Sequence, residues 1–106
     1  MKNKTGLPVH PGEILRGALL PQFGLTATEA AIGMRVSPEL MFEILDERKP
    51  ISAEMCLRIA RFFDSSPEMW QRLQGSYDLH VARQDEYIAQ SVRSIVPVLF
   101  FNEASA

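Results

Sequence analysis

The chain carries one cysteine, Cys56, in 106 residues. That excludes an intrachain disulfide, leaves burial of apolar side chains to hold the fold, and fits a reducing compartment. Long apolar runs are absent: none approaches the roughly 18 residues of a membrane-spanning helix, and the opening MKNKTGLP lacks the apolar segment of a secretion signal. A cytoplasmic setting with no membrane partner is the expectation. A basic excess is missing too, with 11 Lys and Arg against 13 Asp and Glu and a formal net charge of −2. Composition therefore lends nothing to nucleic-acid binding, because phosphate neutralisation supplies much of that affinity. His10 and His80 stand far apart, and no Cys/His/Asp/Glu spacing has the form of a metal site. There is no Gly-rich phosphate loop, no nucleophile elbow and no acid/base pair among Glu13, Asp46 and Glu47. Neither an enzyme nor a cofactor is expected.

What is present reads as one small globular domain with a single core, at 46% hydrophobic and 23% charged residues. The organising stretch is Thr26 to Glu47. Thr26 is a candidate N-cap and Glu29 completes a capping box, so a helix starts at Ala27, with Ala30, Ala31 and Met34 facing inward. Ser37 and Pro38 give a second start signal, because Pro at the first helical position loses only an N–H that has no partner there. Met41, Ile44 and Leu45 form the inner face of that helix, and Val36 plugs the turn. Helix, tight turn, helix is the geometry that places one helix of a pair in the DNA major groove.

Before this pair, His10-Pro11-Gly12-Glu13 opens a helix with Ile14, Leu15, Ala18 and Leu19 as its buried stripe, ended by Pro21 and Gly24; Leu25 staples the next cap. After it, Arg48-Lys49-Pro50 is a basic turn. Ser52 caps a fourth helix with Met55, Cys56, Ile59, Ala60 and Phe63 inward. Ser66-Pro67-Glu68 starts a fifth, which buries Trp70, Leu73 and Tyr77 and runs to about Gln84. Tyr87, Ile88, Val92 and Ile95 could continue a helix until Pro97, leaving VLFF as a β-prone apolar tail that folds back on the core or meets a partner. The expected organisation is a mobile arm at 1–9, a helix-turn-helix domain at 10–84 and an extension at 85–106.

The strings HPGEILRGALLPQFGL, ERKPISAEMCLRIARFF and SSPEMWQRLQGSYDLHVAR, with the helix pair between the first two, resemble the HigA-type antitoxins, some of which are called virulence-associated protein I. The resemblance spans about Val9 to Arg83. It implies an all-α, five-helix, lambda-repressor-like helix-turn-helix domain with a C-terminal extension. It further implies an antitoxin that binds a RelE-like mRNA-cleaving toxin directly and, as a homodimer, represses their shared operon by binding operator DNA.

The candidate DNA-binding residues are Arg35, Ser37, Glu39, Leu40, Glu43, Arg48 and Lys49, with Lys2 and Lys4 in the arm as further phosphate contacts. The chain departs from the family pattern at several of its positions. Glu39, Glu43 and Asp46 are centred on the outward face of a recognition helix that is usually polar and basic, and Phe42 and Glu47 flank them. One carboxylate can read a cytosine; a cluster meets the phosphate-lined groove with like charge. Ala27 stands where the family commonly has a phosphate-binding Gln, and Arg35 where it often has Gly, a position strained for arginine if it needs φ > 0. Two other readings follow: a protein-interaction module that keeps the fold but has lost DNA recognition, and a stand-alone regulator without a toxin.

Overall fold

The computed structural model describes residues 6–101, so Lys2 and Lys4 lie outside it. Among the described residues the chain is all helical, with no β-strand. Helix α1 runs through three contiguous segments, Pro11–Ile14, a π-helical Leu15–Leu19 and Leu20–Phe23; α2 is Ala27–Met34, α3 Pro38–Leu45, α4 Ala53–Phe63, α5 Pro67–Gln84 and α6 Glu86–Arg93. The first five enclose one core: α1 packs against α3 and α5, α2 against α3 and α4, and α4 against α5.

Local chemistry starts these helices where the sequence places them. Ser37, Ser52 and Ser66 each accept the backbone N–H three residues on, and Thr26 and Glu29 form a full capping box. The Thr26 backbone N–H, then its hydroxyl, hold the Glu29 carboxyl below its ordinary range. His10 caps α1: its Nδ1 accepts the Gly12 N–H at 2.9 Å, and its ring meets Tyr77 edge-on at 5.1 Å. Packing then follows the apolar stripes. Trp70 is fully buried with its Nε1–H donated to Ser65 Oγ, as a buried indole requires, and burial pushes the Cys56 thiol pKa up, which fits a packing residue. The buried Gln74 accepts the Ile51 N–H at 2.9 Å and donates to Asp78 at 2.8 Å, tying the loop after α3 to α5.

The structure corrects three expectations. Ala18 is exposed and Leu20 takes its place in the core, because α1 contains a π-turn. The Leu20 N–H reaches Leu15 O, five residues back, so one extra residue moves the buried stripe from an i+4 to an i+5 position. The π-turn precedes Pro21, which has no N–H for the usual helical bond, and α1 ends three residues later than Pro21 alone would suggest, at Gly24 in the left-handed conformation. The fifth helix ends at Gln84 as expected, and Asp85 caps a sixth, its carboxylate accepting the Ile88 N–H. Second, Val98–Phe100 form a 3-10 turn, not a strand, and do not return to the core: Val98 and Leu99 are 87% and 84% exposed. Third, Val9, at the end of the expected arm, is buried in the core.

The close approach of α1 to α3 rests on a missing Cβ. A methyl group at Gly12 would collide with the Ile44 carbonyl oxygen, whereas one at Gly17 would meet nothing within 4 Å. Gly12→Ala is expected to lower stability by about 3 kcal/mol through overpacking, and Gly17→Ala to raise it by about 0.5–1 kcal/mol as a helical glycine replaced. Urea unfolding of both variants checks this; equal effects at the two sites would contradict the packing described.

Candidate nucleic-acid interface

The α2–turn–α3 unit presents one face to solvent. Ala30, Ala31 and Met34 of α2 and Met41, Ile44 and Leu45 of α3 are buried, so the opposite side of α3, with Glu39, Phe42 and Asp46 exposed and Glu43 partly so, points away from the core. The turn between the helices closes through Arg35, whose φ of 58° and ψ of 45° are left-handed. The Val36 N–H bonds to Ala31 O at 3.0 Å and the Arg35 N–H to Ile32 O at 3.1 Å, satisfying the last carbonyls of α2 and directing the chain into Ser37. Arg58 of α4 supports this turn from outside. Its Nη1 donates to Met34 O at 3.0 Å and to Arg35 O at 3.3 Å, while Nε donates to Glu54 at 2.9 Å.

Each candidate residue now has a place. Ser37 is exposed, but its Oγ accepts the Leu40 N–H as a cap. Leu40 is only half exposed and packs against the core. Arg35 and Glu39 are exposed, and no ion pair involving either occurs among the described residues. Glu43 pairs with Lys49 at 3.4 Å and Asp46 with Arg48 at 3.3 Å, so both basic loop residues sit against acids on or just after α3. Glu47, left-handed with φ of 61°, closes the end of α3 and pairs with Arg16 of α1 at 3.2 Å; the Arg16 Nη1 also donates to Leu45 O.

The acidic face is therefore balanced by bases from two sides. Arg16 and Arg58 escaped the sequence reading. Glu54 and Arg58 stand at i,i+4, a visible pair, but nothing local links Arg16 to a residue 31 positions away. Among the described residues no group of three or more His, Cys, Asp or Glu could hold a metal ion, and no helix is long and apolar enough to cross a membrane.

The chain is similar to known proteins in both sequence and fold. Virulence-associated protein I of Dichelobacter nodosus is 40% identical over 96 residues, covering 90% of this chain and 86% of the relative. The structure of the Pseudomonas aeruginosa antitoxin HigA with the higBA promoter superposes with a TM-score of 0.79 at 36% identity, covering 86% of this chain and 98% of that one. The chain belongs to the HigA-type antitoxin family of helix-turn-helix proteins. Antitoxin GraA in complex with its operator is similar to this HigA-type chain as well, with a TM-score of 0.78 at 35% identity over 92% of this chain and 97% of that one. The relatives are named as antitoxins, virulence-associated proteins and transcription regulators. No family model matches the chain.

In this member of the HigA-type family the arginine at the left-handed turn costs about 1–2 kcal/mol that glycine would not incur there. Part of that gain is offset by glycine's larger loss of chain entropy. Arg35→Gly is thus expected to raise the unfolding free energy by up to about 1 kcal/mol, and Arg58→Ala to lower it by about 1–2 kcal/mol as the carbonyls of Met34 and Arg35 lose their charged donor. Thermal unfolding decides; a destabilised Arg35→Gly would show that the arginine side chain, not the backbone, governs the turn.

Proposed function

We propose that the chain acts in the cytoplasm as an antitoxin that binds operator DNA as a homodimer and neutralises a RelE-like mRNA-cleaving toxin by direct contact. The observation that carries the DNA reading is the exposed, doubly capped helix pair on a fold that two similar antitoxins, HigA of Pseudomonas aeruginosa and GraA, place on promoter and operator DNA. The internal ion pairs of Glu43, Asp46 and Glu47 support it, since they lower the charge that α3 turns toward phosphate. Arg35, Arg48 and Lys49 are the phosphate-facing bases; Ser37, Glu39, Leu40 and Glu43 line the helix that faces the groove. Arg48 and Lys49 each carry N–H donors beyond those turned to a carboxylate, so each can reach a phosphate while keeping its acid.

The homodimer is supported by the C-terminal half. The described chain measures 62 × 27 × 23 Å with a radius of gyration of 18.0 Å, against about 13 Å for a compact chain of this length. That elongation leaves Ile88, Val92, Ile95, Val98 and Leu99 in solvent, and Ile88 and Val92 line a groove with the exposed Leu79 of α5. So much exposed apolar surface is characteristic of an interface, and a two-fold arrangement would supply the two half-site readers that operators require. The toxin contact rests on the family relation alone. An interaction module without DNA recognition is the second reading, favoured by the exposed Glu39 and the absence of a basic excess.

Fluorescence anisotropy with the chain's own upstream DNA, over a salt series, tests the proposal. Selective binding that weakens steeply with salt is expected, with Lys49→Ala reducing the salt slope by about one. Equal affinity for random DNA, with and without toxin, would leave the interaction module. Truncation after Gln84 is expected to give a monomer by light scattering, and a dimer that survives it would place the interface elsewhere.

A further inference from the structure

The four carboxylates on and just after α3 are not equivalent. Glu43, Asp46 and Glu47 each lie within 3.2–3.4 Å of a basic side chain, from Lys49, Arg48 and Arg16. Glu39 does not: it is exposed, and no hydrogen bond or ion pair of its carboxylate occurs among the described residues. It is the second residue of α3, within the first turn, and the N-terminal residues of a recognition helix are those that contact base edges. The other groups there are already committed or apolar. Ser37 Oγ accepts the Leu40 N–H, Pro38 has no side-chain donor or acceptor, and Leu40 packs on the core.

We infer that Glu39 is the specificity-determining residue of α3, accepting a hydrogen bond from the N4 amine of a cytosine in each half-site. This rests on the DNA-binding reading above, and the ligand class on the promoter and operator complexes of similar antitoxins. The chemistry selects the base. A carboxylate only accepts hydrogen bonds; in the major groove cytosine offers a donor, guanine N7 and O6 and thymine O4 offer acceptors, and adenine sets its donor beside the N7 acceptor. Against the wrong base the carboxylate is desolvated with no donor, so discrimination comes as much from rejection as from attraction. The positive end of the α3 dipole lowers the cost of holding this charge near phosphate. The paired acids cannot substitute, because each already faces a cation.

The experiment is selection from a randomised operator library, using the full-length chain as wild type, Glu39→Gln and Glu68→Gln, each first checked for an unchanged unfolding midpoint. Wild type is expected to prefer cytosine at one position of each half-site by about tenfold or more. Glu39→Gln is expected to move that preference to adenine, whose N6 and N7 suit an amide, and Glu68→Gln, an exposed acid away from α3, to leave it unchanged. A helix-stabilising role alone would move the midpoint and not the base preference. Selective binding in which Glu39→Gln keeps the wild-type preference at every position overturns the assignment and leaves DNA binding standing. Absence of any selectivity in wild type overturns both.

Discussion

The left-handed backbone at Arg35 sets how α2 hands the chain to α3, and much of the domain depends on it. With φ at 58° the chain reverses within one residue, so Val36 can bond back to Ala31 and Ser37 can cap the next helix. The inner faces of α2 and α3 then meet over the small side chains of Ala30 and Ala31. That conformation is unfavourable for arginine. Its persistence follows from how many groups fix it: two backbone bonds close the turn, and Arg58 holds the Met34 and Arg35 carbonyls from α4.

Charge on the outward side is a matter of arrangement more than of total. Ion pairs as exposed as Asp46–Arg48 contribute little to stability, about 0.2–1 kcal/mol each in measured cases. Their effect lies in the local field, since a carboxylate with a cation about 3.3 Å away presents a dipole where an isolated one presents a charge. A net charge of −2 therefore says little about what α3 offers a partner. Three of its acids are answered nearby, and Glu39 alone meets solvent uncompensated among them.

Helix starts were legible because their causes are local. Thr26 with Glu29, Ser37 with Pro38, Ser52, and Ser66 with Pro67 each announce a cap within four residues, and each is made. The core faces of α2, α3 and α4 followed from spacing alone. Helix ends were legible in place, at Gly24 and about Gln84, but less so in conformation. Glu47 and Asp64 adopt positive φ without the glycine that usually signals it, and the π-turn in α1 shifted the stripe from Ala18 to Leu20 without altering the apolar pattern upstream. At the site, the outward acids could be read from a helical wheel. Of their partners Arg48 and Lys49 lie close in sequence, but Arg16 reaches Glu47 across 31 residues, a tertiary contact that no local pattern announces.

Helix α5 has a consequence beyond the core. Its first half is anchored by Trp70, Leu73 and Gln74, and Gln74 grips the loop that follows α3; its second half leaves the core and carries α6. At 1.5 Å per residue its 18 residues make a rod about 27 Å long, of which the ten residues after Gln74 span about 15 Å. How far α6 and its apolar side chains stand from the core is then a property of one helix, gauged from the Gln74 clamp to the Asp85 break.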